Sequence, residues 1–194
     1  MRRLLLALSL VTFAVWGMAG CKPGLLPTEE AGKPKVVLER VDLMRLGPWV
    51  ELPAPVIMGL GFVFKVDNPS TYSIKLENFK FAVAFEAPGT KEYMTLSTAT
   101  TYDNLNFGPK TVSQYRVVEF LDSGGVWRAL MLPNRSKVEA MKLDPKELTK
   151  KWFTDIGSGD FPFGLKVIEG MAVFSSEGAK GDFFVPFEGN FPKK

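Results

Sequence analysis

Two segments of the sequence alternate large apolar residues with small or polar ones, and this pattern constrains the fold more than any other feature. The apolar positions are Leu60, Phe62, Phe64 and Val66 in the first segment and Phe79, Phe81, Val83 and Phe85 in the second. Between them lie Gly61, Val63, Lys65 and Asp67, then Lys80, Ala82, Ala84 and Glu86. A period of two residues predicts β-strands with one buried face.

Further segments have the composition of strands and are separated by turn signals. The candidates are Val36 to Leu46, Ser73 to Glu77, Met94 to Thr101, Val112 to Leu121, Gly164 to Phe174 and Asp182 to Glu188. Turns are indicated at Asp67-Asn68-Pro69-Ser70, at Ala87-Pro88-Gly89 and at Phe107-Gly108-Pro109. Roughly six to eight such strands predict a mainly β protein, folded as a β-sandwich.

One region, at about 123–157, breaks the strand rhythm and predicts a helical insert. Asp144 is a good N-cap, Pro145 suits the first helical position, and Leu148, Trp152 and Ile156 recur every four residues before Gly157. A shorter helix is predicted from Ser123 to Leu132, with Trp127, Leu130 and Met131 facing inward. The insert is expected to cover one end of the sandwich.

The N-terminus has the pattern of a secretory signal peptide over residues 1–20. Arg2 and Arg3 precede an uncharged run from Leu4 to Gly20, which is shorter than the ~20 residues that span a bilayer. The run ends Met18-Ala19-Gly20-Cys21, which resembles the lipobox of bacterial lipoproteins. That resemblance implies that the chain is cut before Cys21, the lipidation site, which then carries acyl chains on its sulfur and amine. The competing interpretation is an uncleaved anchor helix with an incidental cysteine.

The residues after the lipobox predict the organisation of the mature chain. Residues 21–35 are rich in Pro and Gly and are expected to form a lipidated N-terminus and tether, followed by the sandwich domain at 36–190. In bacterial lipoproteins an Asp directly after the cysteine tends to retain the protein in the inner membrane. The residue here is Lys22, so the resemblance implies sorting to the outer membrane.

Composition removes several classes of function. The 194 residues include no His and one Cys, which excludes histidine-based triads, imidazole or thiolate zinc sites and an internal disulfide. If Cys21 is lipidated, its sulfur carries an acyl chain and is not available as a nucleophile. Two acyl chains make a stable membrane anchor. Without residues 1–20 the chain has 22 basic and 21 acidic residues, so no nucleic-acid partner is expected.

The stretch Phe62 to Phe79 resembles the water stress and hypersensitive response (WHy) domain of the group 2 late embryogenesis abundant proteins. It has an alternating strand, the Asn68-Pro69 turn, a second strand and a third strand that begins near an aromatic residue. Ile168-Glu169-Gly170 and Val185-Pro186-Phe187 are similar to that family's closing strands. The resemblance implies a folded fibronectin- or immunoglobulin-like sandwich, an association with desiccation, osmotic or cold stress, and no catalysis. It carries over no binding residue and no cofactor.

The remaining candidate sites have simple structural interpretations. Asp155 to Asp160 has the composition of a calcium loop but lacks the EF-hand spacing, so a helix stop and turn is expected and no metal site is predicted. Gly59-Leu60-Gly61 precedes no helix and predicts a close contact or a bulge. Five acids that a carboxylate hydrolase would need are expected to be ordinary face residues: Glu77, Glu86, Asp103, Glu119 and Asp122.

Two Phe-rich segments, Phe161-Pro162-Phe163 and Phe183-Phe184, place aromatics on both sides of the chain. They are expected to pack under the helical insert. Any that stay exposed would mark a site for a partner protein, a lipid or an unfolding client.

The combined expectation is a lipid-anchored, non-enzymatic module of the bacterial cell envelope, in the outer membrane and facing the periplasm. It would protect against desiccation or osmotic stress by binding envelope proteins or lipids. The alternatives are a structural or assembly lipoprotein of an envelope or secretion complex, and a carboxylate-based hydrolase.

Overall fold

The computed structural model describes residues 32–51, 54–157, 161–176 and 181–191, which form two antiparallel β-sheets and three helices. The strands are β1 (Lys35–Leu46), β2 (Ile57–Asn68), β3 (Ile74–Glu86), β4 (Tyr93–Thr101), β5 (Leu105–Phe107), β6 (Thr111–Asp122), β7 (Leu165–Ser175) and β8 (Phe183–Phe191). The first sheet has the order β1-β2-β6, and the second has the order β4-β3-β7-β8 with β5 also paired to β3. The predicted mainly β sandwich is confirmed.

The core lies between the two sheets and consists largely of Phe side chains. Phe62 and Phe64 of β2 face Phe79 and Phe81 of β3, with ring centroids 5.1 Å apart for Phe62–Phe81 and 4.9 Å apart for Phe64–Phe79. Phe187 of β8 joins them, 4.7 Å from Phe79. All five side chains are buried. The large apolar residues of the alternation therefore face inward, as predicted. The prediction of only one buried face is wrong in the middle of these strands, because Val63, Ala82 and Ala84 on the other face are also buried.

The prediction of two strands over Ser73 to Phe85 is wrong, because β3 is one continuous strand. Its pairing with β7 shifts between Leu76 and Asn78. The extra residue at this bulge lets Leu76 and Phe79 face the same side although they are three positions apart. A strict period of two cannot span such a shift. The three-residue strand β5, which pairs with β3, was not predicted.

The helical insert consists of α1 (Ser123–Met131), α2 (Arg135–Ala140) and α3 (Pro145–Gly157). Asp144 caps α3, since its Oδ1 accepts hydrogen bonds from the backbone N–H groups of Lys146 at 2.8 Å and Glu147 at 3.1 Å. The residues predicted to face inward from α3 are all buried: Leu148, Trp152 and Ile156.

The inward face predicted for α1 requires a correction. Leu130 is buried as expected, but Trp127 and Met131 are exposed, and Val126 fills the inner position instead. Val126 and Leu130 are four residues apart and share one side of the helix. Trp127 and Met131 lie about 100° further round it, on the side that faces solvent.

The two ends of the sandwich are closed differently, and we call them the turn end and the insert end. At the turn end Lys35, the first residue of β1, pairs with Asp67 beside the Asn68-Pro69 turn, so the chain joins the domain there. At the insert end, α1 and α3 pack beneath the sheets, and Trp152 Nε1 donates a hydrogen bond to the backbone oxygen of Glu86 at 3.0 Å.

The chain from Lys33 to Lys194 forms one compact unit, and all of the buried apolar side chains that the structure describes lie within it. A unit with its own complete core is expected to fold independently. Among the described residues, no helix has the length and apolar character needed to cross a membrane.

Candidate interaction surface

The Asn68-Pro69 turn is a structural feature of the turn end. Asn68 is fully buried, and its Oδ1 accepts hydrogen bonds from the backbone N–H of Ser70 at 3.1 Å and from the Ser70 hydroxyl at 2.6 Å. The first of these is the bond to the backbone two residues on that favours Asn in turns, and it accounts for the predicted turn. Its Nδ2 also donates to the backbone oxygens of Tyr72 at 2.9 Å and Gly108 at 2.8 Å. The side chain joins the β2–β3 turn to the loop after β5, so it is fully used within the fold.

The five acids considered for a hydrolase are held by neighbours within the fold. Four accept hydrogen bonds: Glu77 from the Ser175 hydroxyl, Glu86 from the backbone N–H of Gly164, Asp103 from the Tyr115 hydroxyl and Asp122 from the backbone N–H of Gly125. The fifth, Glu119, is partly buried; burial raises its pKa, and the Ser97 hydroxyl acts in the opposite direction. Asp122 is the N-cap of α1. These are the contacts of carboxylates that stabilise a fold.

Tyr115 connects the two sheets across the open side of the sandwich. Its hydroxyl donates to Asp103 Oδ2 at 2.6 Å and lies 2.6 Å from Thr101 Oγ1 at the end of β4. Burial, and then the hydrogen bond to Asp103, raise the pKa of the Tyr115 phenol. The phenol therefore stays protonated and acts as a hydrogen-bond donor between strands.

The other predicted sites fall partly outside the described residues. Cys21, the signal peptide, most of the tether and Ser158 to Asp160 of the calcium-like segment are not among them. Within the ranges that the structure describes, no group of three or more His, Cys, Asp or Glu residues is placed to hold a metal ion.

The Phe-rich segments divide between the two ends. Phe163 is buried against Phe85 and Trp152, with centroid distances of 5.4 and 6.3 Å, so it packs under the insert as predicted. Phe183 instead stacks on Tyr72 near the turn end. Phe184 is 63% exposed on the outer face of the second sheet. The prediction therefore holds for Phe163 but is wrong for Phe183 and Phe184.

A cleft of about 620 Å³ lies where β1, β7 and β8 approach the segment before β7. Two of the three charged side chains that line it are engaged within the fold, and the third, Glu188, is exposed. Glu86 accepts the Gly164 hydrogen bond at 2.6 Å, and Lys166 Nζ lies 3.8 Å from the centre of the Tyr93 ring. The cleft therefore offers little free polar chemistry to a ligand.

The outer face of the first sheet carries exposed apolar side chains near the insert end. We call this the sheet-face patch and define it as Met44, Ile57, Val118 and Phe120, of which Phe120 is 61% exposed. The outer face of an antiparallel sheet is usually polar. An apolar area on such a face is a candidate for contact with another molecule.

Two glycines of β2 form the floor of this patch. Gly59 pairs with Phe120 and Gly61 pairs with Val118, so neither apolar side chain has a β2 side chain directly opposite it. A Cβ added at Gly61 would lie 3.1 Å from the sulfur of Met44, which lies across it. The close contact predicted for Gly59-Leu60-Gly61 is therefore with the Met44 side chain of β1.

Charged residues border the sheet-face patch on the side away from the insert. Arg116 and Asp42 form an ion pair at 2.7 Å across β1 and β6. Gln114 donates to Glu39 at 2.7 Å further along the same two strands. The patch is thus an apolar area next to a polar band, a common arrangement for a protein contact surface.

The insert carries a second exposed surface, the insert corner, which we define as Trp127, Arg128, Met131, Leu132 and Lys137. Leu132 is 74% exposed, and Trp127 and Met131 are each about two-fifths exposed. Asn134, beneath the corner, donates to the backbone oxygens of Thr95 at 2.7 Å and Ala129 at 2.9 Å. The corner is therefore fixed to β4.

Sequence reasoning missed the sheet-face patch, although a signal was present. Tyr115, Val117 and Leu121 of β6 face inward, so the intervening positions face outward. Val118 and Phe120 are apolar at two of those outward positions. Because the outward positions of β6 hold both apolar and polar residues, the sequence of β6 predicts only an ordinary strand.

Comparison with known proteins gives only distant similarity. Neither a protein-family profile nor a curated protein matches the sequence. Similar solved structures include a protein from Archaeoglobus fulgidus, with 12% identity over 81% of this chain and 98% of that chain and a TM-score of 0.40. Others are the Northeast Structural Genomics Consortium target SoR45, with 11% identity over 84% and 89% and a TM-score of 0.43, and AT1g01470 from Arabidopsis thaliana, with 12% identity over 81% and 79% and a TM-score of 0.45. Similarities at this level assign no family, and the description of the fold rests on the strands themselves.

Proposed function

We propose that the protein is a lipid-anchored, non-enzymatic binding module of the bacterial cell envelope that protects other molecules under desiccation or osmotic stress. The observation that carries the binding part of this proposal is the sheet-face patch, an apolar area on a sheet face that would ordinarily be polar. The part concerning stress derives from the resemblance of Phe62 to Phe79 to the WHy domain.

The anchor in this proposal is Cys21, by resemblance to the lipobox. Because the chain joins the domain at Lys35, beside Asp67, an anchor on Cys21 would tether the domain by its turn end. The three strands of the first sheet are each 12 residues long, which corresponds to roughly 40 Å between the two ends. The sheet-face patch lies toward the insert end, away from the point at which the chain enters the domain at Lys35.

The binding proposal is tested by a drying assay on the unit from Lys33 to Lys194. A desiccation-sensitive enzyme is dried and rehydrated with the wild-type unit, with Phe120→Ser, and with Phe184→Ser as the matched control for an exposed Phe outside the patch. We expect the wild type and Phe184→Ser to preserve the enzyme's activity and Phe120→Ser to preserve markedly less. No preservation by the wild type would overturn the protective role.

The anchor is tested separately by fractionation of cells that express the full chain. Cys21→Ser is expected to move the protein out of the membrane fraction, while Ser9→Ala, a change within the apolar run, is expected to leave it there. Membrane association of the Cys21→Ser chain equal to that of wild type would contradict the lipid anchor and support an uncleaved helix.

The alternative function is structural, as an assembly subunit of an envelope or secretion complex. The same sheet-face patch favours it, because stable subunit interfaces have an apolar centre and a polar rim. Crosslinking in cells with and without osmotic stress distinguishes the two. One stoichiometric partner in unstressed cells would support assembly, whereas many partners that appear only on stress would support protection.

A further inference from the structure

The insert concentrates positive charge as well as exposed apolar side chains. Residues 123–157 contain seven Lys or Arg and four Asp or Glu, a net charge of +3, whereas the whole mature chain has a net charge of only +1. Within 123–138 there are three basic residues and no acidic one: Arg128, Arg135 and Lys137. The rest of the mature chain is therefore slightly acidic, and the excess of positive charge lies within the insert.

This charge lies on the same surface as the apolar residues of the insert corner. Trp127 and Met131 are four residues apart in α1 and share one side of the helix. Arg128 and Leu132 lie next to them, also four residues apart. No acidic residue that the structure describes lies within 4 Å of the Arg128 guanidinium as an ion-pair partner.

The corner is fixed in place rather than formed by loose side chains. Val126, Leu130 and Val138 are buried beneath it, and Asn134 bonds to β4. Lys137 Nζ donates to the backbone oxygen of Tyr93 at 3.0 Å, which holds its ammonium group at the edge of the surface. Arg135 is paired with Glu139 at 2.7 Å, so Arg128 and Lys137 provide the available charge.

An exposed Trp with neighbouring aliphatic side chains and cations matches the chemistry of a bilayer surface that contains anionic lipids. Trp favours the interface between headgroups and acyl chains, aliphatic side chains insert a short distance, and Lys and Arg attract anionic headgroups. We propose that the insert corner docks on an anionic phospholipid bilayer, with Trp127 and Leu132 inserted and Arg128 and Lys137 against the headgroups. The proposal concerns the insert corner alone and does not depend on an anchor on Cys21.

The test uses the unit from Lys33 to Lys194, which lacks Cys21, and two kinds of vesicle. One is pure phosphatidylcholine, and the other is an equal mixture of phosphatidylcholine and phosphatidylglycerol. Co-sedimentation is expected with the mixed vesicles and much less with the neutral ones, and added salt should weaken it. Trp127 is the only exposed Trp that the structure describes, since Trp152 is buried and Trp49 is partly buried. A blue shift of Trp emission on the mixed vesicles is therefore expected, and Trp127→Phe should abolish it.

Variants that remove positive charge distinguish docking of the insert corner from non-specific attraction of the whole domain to anionic vesicles. Arg128→Gln with Lys137→Gln should weaken binding to the mixed vesicles by roughly tenfold or more. Lys65→Gln with Lys80→Gln removes the same charge from exposed sites on the two sheets and should change binding far less. Leu132→Ser should weaken binding, whereas Phe184→Ser should not. Melting curves check that each variant is folded.

Three outcomes would overturn the proposal: equal binding to both vesicle types, equal effects of the two double variants, or no shift in Trp127 emission. Absence of binding to any vesicle would also overturn it and would favour an acidic protein as the partner of the corner. None of these outcomes bears on the Cys21→Ser fractionation, so failure of this inference and failure of the proposed function can be told apart.

Discussion

The two ends of the sandwich are closed by different chemistry. At the turn end one buried polar side chain, Asn68, satisfies backbone groups of two separate loops. At the insert end α3 buries Leu148, Trp152 and Ile156 against the sheets. Side-chain hydrogen bonds add to this burial, from Trp152 to β3 and from Asn134 and Lys137 to β4. The turn loops are thus joined by the hydrogen bonds of one buried side chain, whereas the insert end combines extensive apolar burial with hydrogen bonds.

This difference separates stability from the candidate function. The Asn68 side chain that joins the loops of the turn end is buried, and both of its polar atoms are hydrogen-bonded within the fold. The helices that close the insert end have an outer side as well, and that side carries the exposed Trp127, Leu132 and Arg128. An insert that covers a core with one face therefore provides a surface for binding with the other.

The largest expected effect is at the insert end. Trp152→Ala removes a fully buried indole and leaves the Glu86 backbone oxygen without its donor, so we expect a loss of about 3–5 kcal/mol in the free energy of unfolding. Urea denaturation measures this loss, and Trp152→Phe, which keeps most of the volume, should cost clearly less. Equal losses for the two variants would mean that the insert end does not depend on apolar burial.

A smaller but still large effect is expected at the turn end. Asn68→Ala leaves the backbone oxygens of Tyr72 and Gly108 without their donor, at an expected cost of about 2–4 kcal/mol. Asn106→Ala, at an exposed position in the neighbouring strand β5, is the matched control and should change stability by less than ~0.5 kcal/mol. A near-neutral Asn68→Ala would remove the contrast between the two ends.

The smallest effect, and the one that depends on pH, is expected at Glu119 between the ends. Burial raises its pKa in the folded state, so the charged form destabilises the fold above that pKa and the cost disappears as pH falls below its unfolded value. Glu119→Gln should therefore raise the free energy of unfolding at pH 7 by less than ~1 kcal/mol and leave it unchanged near pH 4. Thermal melts at both pH values measure this, and a larger gain at pH 4 would contradict the assignment.

Most of the fold could be predicted from the sequence because its signals are local. The alternation of Phe62 and Phe64 gave the buried face of β2, and Asp144 with Pro145 gave the start of α3. The continuous β3 could not be predicted, because a bulge after Leu76 is determined by pairing with a distant strand.

The candidate surfaces were harder to predict, since exposure is a property of the assembled fold. Trp127 was assigned inward because apolar residues usually face the core, and only the packing of Val126 against its neighbours shows the true orientation of α1. The exposure of the sheet-face patch likewise depends on the residue that pairs with Phe120, which is Gly59 of β2.

The most direct test of the account is photo-crosslinking in cells from single positions on the full-length chain. A photoreactive amino acid replaces Phe120 in the sheet-face patch or Phe184 on the opposite sheet, two positions with nearly equal exposure of 61% and 63%. The account predicts crosslinks to other envelope molecules from position 120, increasing on osmotic stress, and few from position 184. Equal crosslinking from both positions, or none from position 120 under stress, would contradict it.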